Sequence, residues 1–251
     1  MKKYILFVIL VIIFGFWRVG LLNDAIKSVK NIPTKTKLSP SRNSTEAFNK
    51  RLYSLNNPSS LWVIVNKLRP LTPTSYAPSD LSVPSVNLRK SSGSMEMKLR
   101  KVAGAALQKM FVGAKNKNFN LALASGYRSY GLQVAVYGSE VKRFGQKVAD
   151  TQSARPGYSE HQTGLAADIG PASGKCVVLS CFADTAEGKW VAKNAWKYGF
   201  VIRYPKDKQA VTGYRYEPWH LRFVGTSLAK QIHKSGETLE EFFDLSSAPT
   251  Y

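Results

Sequence analysis

A proline inside a stretch rich in aromatic residues limits what residues 214–224 can form. The run Tyr214 to Val224 reads as a strand. Pro218, however, removes one ladder donor and pushes Glu217 toward extended backbone, so a regular central strand is not expected there. In an ideal strand, residues three apart face opposite sides. A break at Pro218 lets Glu217 and His220 converge on one point. The chain has three histidines in all. A second one falls in an equally dense line, Ser159-Glu160-His161-Gln162-Thr163-Gly164-Leu165-Ala166-Ala167-Asp168.

Together the two lines offer two imidazoles and a carboxylate as metal ligands, with a spare carboxylate to act as a base. An ionised Asp168 among Leu165, Ala166, Ala167 and Ile169 is costly to bury unless something cationic pairs with it, and a metal supplies that. Taken singly, these residues also read as an ion-paired or helix-capping aspartate and a surface loop histidine. A catalytic zinc uses three protein ligands and leaves a position for a water whose pKa falls to about 7. His161, Asp168 and His220 fill the three, and Glu217 stands beside the metal to take a proton. A third segment, Ser125-Gly126-Tyr127-Arg128-Ser129, sets an arginine at a strand-to-helix turn. It reads as a cation facing a substrate carboxylate or a developing oxyanion, or as a surface arginine at a helix start.

Composition bounds where such a site would work. The 251 residues, 44% hydrophobic and 12% aromatic, are enough for one sizeable domain with a real core. A net charge of +20 favours polyanions: anionic lipid headgroups, acidic cell-wall polymers or nucleic acid. The basic residues are scattered rather than clustered with aromatics, so nucleic acid is not an expected partner. Lys2 and Lys3 precede an unbroken apolar run from Tyr4 to Trp17, the pattern of a secretory signal. A spanning helix needs about 20 apolar residues, which extension to Leu22 approaches. Without a small-x-small cleavage site, residues 1–22 read as an uncleaved membrane anchor, with a cleaved signal as the alternative. The rest of the chain is then extracytoplasmic. Cys176 and Cys181, the only cysteines, are expected to form one local disulfide in that compartment.

Residues 23–57, rich in Lys, Ser, Asn and Thr, read as a flexible basic tether. The domain is placed at 58–243 and a tail at 244–251, and the Pro/Ser-rich stretch from Leu71 to Ser85 as extended chain on the domain surface. Apolar spacing at Met97, Leu99, Val102, Ala106, Met110 and Val112 predicts a helix between Ser94 and Lys115. Further helices are predicted over Ser129–Phe144 closed by Gly145, Thr185–Tyr198 ended by Gly199, and Ser227–Lys234. Strands are predicted over Asn120–Ala124, Leu165–Ile169 and Phe200–Tyr204, with a fourth, interrupted at Pro218, within Tyr214–Val224. This order indicates an α+β fold: a small antiparallel sheet packed with helices, carrying the zinc site.

The segments at 125–129 and 159–168, with Glu-Pro-Trp-His-Leu-Arg-Phe-Val-Gly at 217–225, closely resemble the VanY-type D-alanyl-D-alanine carboxypeptidases. That family lies within the zinc peptidases that include lysostaphin and the hedgehog domain. Tyr198 to Pro205 is similar to it as well, and the resemblance covers roughly Pro58 to Phe243. It implies one zinc ion on His161, Asp168 and His220, with Glu217 as general base on the zinc-bound water. It further implies Arg128 as the transition-state or substrate cation, and Gln133 and Ser159 as substrate-binding positions. The expected substrate is a peptidoglycan stem peptide losing its terminal D-alanine, by D,D- or L,D-carboxypeptidase action, with endopeptidase cleavage at the same site as the alternative. Two histidines and a carboxylate also make the facial triad of non-haem iron oxygenases, but Asp168 lies seven residues after His161 rather than two. A wall-binding module without chemistry has no use for Glu217.

Overall fold

In the computed structural model, which describes residues 48–251, the first regular pairing is an antiparallel ribbon of β1 (Leu81–Ser82) and β2 (Leu99–Arg100). Helix α1 (Lys101–Lys115) follows directly and buries Ala103, Leu107, Met110, Phe111 and Ala114. That spacing of three and four keeps one helix face on the core. The helix predicted from Ser94 therefore starts later, after a 3₁₀ turn at Met95–Met97 and the strand β2. Val102 and Val112 are exposed rather than on the apolar face. The buried stripe runs through 103, 107, 110 and 114, and the two valines lie off it.

The strand β3 (Leu121–Ser125) is buried at every position. Helix α2 (Tyr130–Phe144) starts where the Ser129 hydroxyl accepts the Leu132 amide at 3.2 Å, and it is closed by Gly145 as the sequence predicts. A short α3 (Gln146–Ala149) and a 3₁₀ turn at Glu160–Thr163 precede β4 (Ala166–Pro171). Helix α4 (Ala186–Asn194) gives way to a 3₁₀ turn at Ala195–Tyr198, so the single helix predicted over 185–198 is two elements that still end at Gly199. Then come β5 (Phe200–Tyr204), α5 (Gln209–Thr212), β6 (Glu217–Phe223), α6 (Thr226–Ser235) and α7 (Leu239–Phe242).

The four longer strands form one antiparallel sheet in the order β3-β4-β6-β5, which makes the fold α+β as expected. β6 is thus central despite its proline. Its pairing with β4 stops at Asp168↔His220. Toward β5 the register jumps from Ile202↔Leu221 to Tyr204↔Glu217, leaving Arg203 alone opposite Pro218, Trp219 and His220. The expected interruption is therefore a bulge within a continuous strand, and it places Pro218 where no ladder donor is required.

Alternation separates the two faces of the sheet. Leu121 and Leu123, Ala167 and Ile169, and Leu221 and Phe223 join the core with Leu107, Met110, Phe182 and Val191. Asp168, His220 and Arg222 alternate with these core residues and point to the other face. One compact unit spans Asn49–Tyr251. It takes in residues 49–57, where Lys50 pairs with Asp244 at 3.0 Å, and the tail, where the Tyr251 hydroxyl accepts the Arg155 amide at 2.7 Å. Among the described residues no helix is long and apolar enough to cross a membrane. The anchor or signal read at 1–22, and the tether as far as residue 47, lie outside the described residues.

Candidate active site

Asp168 and His220 are register partners across the β4–β6 ladder, so their side chains rise from the same face of the sheet. His161 reaches them from the 3₁₀ turn that precedes β4. Gly164 ends that turn in the left-handed conformation, with φ 67°, and its amide bonds the His161 carbonyl at 3.1 Å. The Nδ1 of His161 lies 2.6 Å from the Gly126 carbonyl, which can only accept. Nδ1 therefore carries the proton, and Nε2 turns its lone pair toward Asp168 Oδ2 at 3.2 Å. On the other side, His220 Nδ1 lies 3.1 Å from Asp168 Oδ1.

The two imidazoles stand nearly perpendicular, 5.0 Å apart, and the candidate ligand atoms of His161, Asp168 and His220 all lie within 4.8 Å of one another. All three side chains are buried. Each imidazole nitrogen thus faces a different oxygen of the one carboxylate, and nitrogen and carboxylate donors are the ligand types zinc takes. Asp168 Oδ1 has no hydrogen-bond partner. A buried carboxylate oxygen left unpaired beside two imidazole nitrogens fits a divalent cation in both charge and donor type.

Glu217 lies at the start of β6 with its carboxylate 3.6 Å from His220 Nδ1. It stands beside the three-ligand cluster without belonging to it. Burial pushes its pKa up to about 8; His220 opposes the rise and Asp168 adds to it. For Asp168, burial would act the same way, but the neighbouring imidazoles hold its pKa well below the carboxylate range. Burial lowers His161. Burial would also lower His220, yet Asp168 and Glu160 beside it push its pKa up to about 10. Metal ligands bind in their deprotonated forms, so a cation on these residues would compete with protons.

Arg128 follows β3 and approaches Asp168 Oδ2 to 4.0 Å with Nη2. Its Nη1 donates to Gln133 Oε1 at 3.0 Å, and Gln133 Nε2 donates in turn to the Ala154 carbonyl at 2.6 Å. Gln133 is fully buried behind the arginine. It therefore orients Arg128 rather than lining the cleft, because its helix turns that position inward. Ser159 does border the cleft, which measures about 710 Å³ and is also bounded by Trp219, Tyr204 and Arg215. Cys176 and Cys181 are joined as a disulfide with Cα atoms 5.5 Å apart, and the loop between them brings Val178 and Leu179 to the cleft rim.

Four charged residues, Glu160, Arg203, Arg222 and Glu240, received no role from the sequence. Glu160 Oε1 accepts from Arg203 Nε at 2.7 Å and from Arg222 Nη1 at 2.9 Å. Arg203 also grips Glu240 through two bonds of 2.6 and 2.8 Å. All four side chains are fully buried. For Glu160, Arg203 and Arg222 the available signal was their position within the motif lines, but a charge in a sequence reads the same whether it faces water or the interior.

Comparison with known proteins agrees with this geometry. The family model for the VanY D-alanyl-D-alanine carboxypeptidases matches residues 96–226. A putative carboxypeptidase of Bacillus subtilis, YodJ, is 46% identical over 193 residues, covering 77% of this chain and 70% of the relative. The structure of the LdcB LD-carboxypeptidase is similar with a TM-score of 0.71 at 46% identity, over 75% of this chain and 88% of that one. The vancomycin-resistance D,D-pentapeptidase VanY, solved in complex with Zn(II), is similar with a TM-score of 0.60 at 29% identity, over 74% and 99% of the two chains. The long family match, over residues in which the fold brings two histidines and an aspartate to one point, places this chain in the VanY D-alanyl-D-alanine carboxypeptidase family.

Proposed function

We propose that the protein is a zinc-dependent carboxypeptidase that removes the terminal D-alanine from peptidoglycan stem peptides outside the cytoplasm. The observation that carries this reading is the convergence of His161, Asp168 and His220 within 4.8 Å, with Glu217 held beside them. Those three residues would hold the one zinc ion, which supplies Lewis acidity to polarise the scissile carbonyl and acidify a water. Glu217, buried and with its pKa raised toward neutrality, takes the proton from the attacking water and returns it to the departing amine. The Arg128 guanidinium, steadied by Gln133, meets the negative charge of the terminal carboxylate or of the developing oxyanion. Ser159 and Trp219 border the cleft where the peptide lies.

Of the two possible bonds we favour L,D cleavage, because likeness to the LdcB LD-carboxypeptidase exceeds likeness to the D,D-pentapeptidase VanY in both identity and TM-score. The apolar N-terminal run is consistent with export and anchoring in the membrane. The net charge of +20 suits a wall rich in anionic polymers or a layer of anionic lipid headgroups. The deciding experiment incubates the protein with defined tetrapeptide and pentapeptide stems, with and without chelator, and reads products by mass. Loss of 1 residue from the tetrapeptide, abolished by chelator, is the expected result. No chelator-sensitive loss from either stem overturns the proposal, and cleavage of the pentapeptide alone moves it to D,D specificity.

A further inference from the structure

His161 and His220 offer the site different ring nitrogens, and each needs a hydrogen-bond acceptor behind it to hold that choice. For His161 the acceptor is the Gly126 carbonyl, as described above. For His220 the inward atom is Nδ1, which faces Asp168 at 3.1 Å and Glu217 at 3.6 Å. Its outward atom, Nε2, lies 3.5 Å from Glu160 Oε2, and both atoms are buried with no hydrogen-bond partner, each the nearest polar complement of the other.

We infer that Glu160 is the positioning residue for His220: its Oε2 accepts the Nε2 proton and so keeps Nδ1 as the metal-binding nitrogen. This rests on the metal reading above. The bonding of Glu160 itself argues for the role. A carboxylate that served only to neutralise Arg203 and Arg222 could give one oxygen to each. Here Oε1 takes both arginines, and Oε2 is left to the imidazole. Charge leads the same way. Arg203 and Arg222 balance Glu160 and Glu240 within one fully buried cluster, so the negative charge of Glu160 is already compensated without the imidazole. The sequence places this carboxylate well: Glu160 adjoins His161, while Arg222 lies two residues beyond His220 on the same face of β6. One side chain therefore couples the turn that carries one ligand to the strand that carries the other.

The test uses the full chain, with zinc affinity measured by chelator competition. Removing such a supporting partner typically weakens metal affinity about 10–100-fold, and that loss is expected for Glu160→Ala. Glu160→Gln, which keeps an oxygen acceptor, should recover part of it. Glu240→Gln disturbs the same arginine cluster without touching the imidazole and should bind zinc like the wild type. Nitrogen-15 histidine spectra of the zinc-loaded wild type need no variant, and with three histidines they can be assigned. They should show His220 protonated at Nε2. A folded Glu160→Ala variant with wild-type zinc affinity overturns the inference. So does His220 metallated through Nε2, or an equal loss in Glu240→Gln, which would reduce Glu160 to a structural anchor. If Glu160→Ala does not fold, the glutamine variant and the wild-type spectra decide. Failure of the wild type to bind zinc would instead refute the metal reading itself.

Discussion

Glu217 stands close enough to His220 to share a water with it, yet it remains outside the ligand cluster. A base in that position is separable from metal binding. Glu217→Gln is expected to lower turnover by about 10²–10⁴-fold, the usual contribution of a general base, while metal analysis finds the zinc content unchanged. Loss of zinc along with activity would mean that Glu217 is a ligand. Its pKa makes a second prediction. Burial raises it to about 8 without metal, and a bound cation pulls it down from there. The base works only when deprotonated, so kcat/KM should rise with pH through a limb above the ordinary glutamate value of 4.5 and no higher than about 8. A pH profile flat down to pH 4.5 would exclude Glu217 as the titrating base. Arg128 is held by Gln133 and reaches toward Asp168. Arg128→Ala should cost about 10²–10³-fold in kcat if it meets the developing charge, read by steady-state kinetics. Residue types alone left Asp168, His161 and Arg128 open to bland roles, since each is common singly. Their long ordered motifs, rather than any one side chain, pointed to the site.

Turns and strands put these groups in range. The bulge opposite Arg203 lets a central strand contain Pro218 and presents Glu217 and His220 to one place. The sequence indicated a break at the proline but could not tell a bulge from a strand end, because that depends on how β5 pairs. The 3₁₀ turn at Glu160–Thr163 depends on Gly164, whose φ of 67° disfavours any side chain and whose added Cβ would come within 2.9 Å of Arg100 Cγ. Gly164→Ala should therefore destabilise the fold by at least about 1–2 kcal/mol, measured by urea denaturation, and weaken zinc binding as His161 shifts. Unchanged stability would show that the turn is not held in this conformation. In α1 the helix was legible but not its buried stripe: hydrophobicity counted Val102 and Val112, while packing chose Leu107 and Ala114.

The sheet divides the domain into a core side and a site side, so damage to one can be separated from the other. Leu107 is fully buried in the core beneath the sheet. Leu107→Ala should lower stability by about 2–5 kcal/mol in thermal or chemical unfolding while the folded fraction retains normal kcat. A specific loss of kcat in folded protein would show the two sides to be coupled. Composition, motif spacing and periodicity were sufficient to indicate an α+β chain, its candidate metal ligands, its candidate base and its close cysteine pair. These features are local: each is written in the chemistry of a few neighbouring residues. Which strand lies beside which, which charged side chains are buried, and which side chain bonds Arg128 are not local. They were settled by packing between segments far apart in the chain, such as the cluster in which Glu160, Arg203, Arg222 and Glu240 neutralise one another. A buried charge is tolerable only once its partners arrive, and the folded structure alone brings them together.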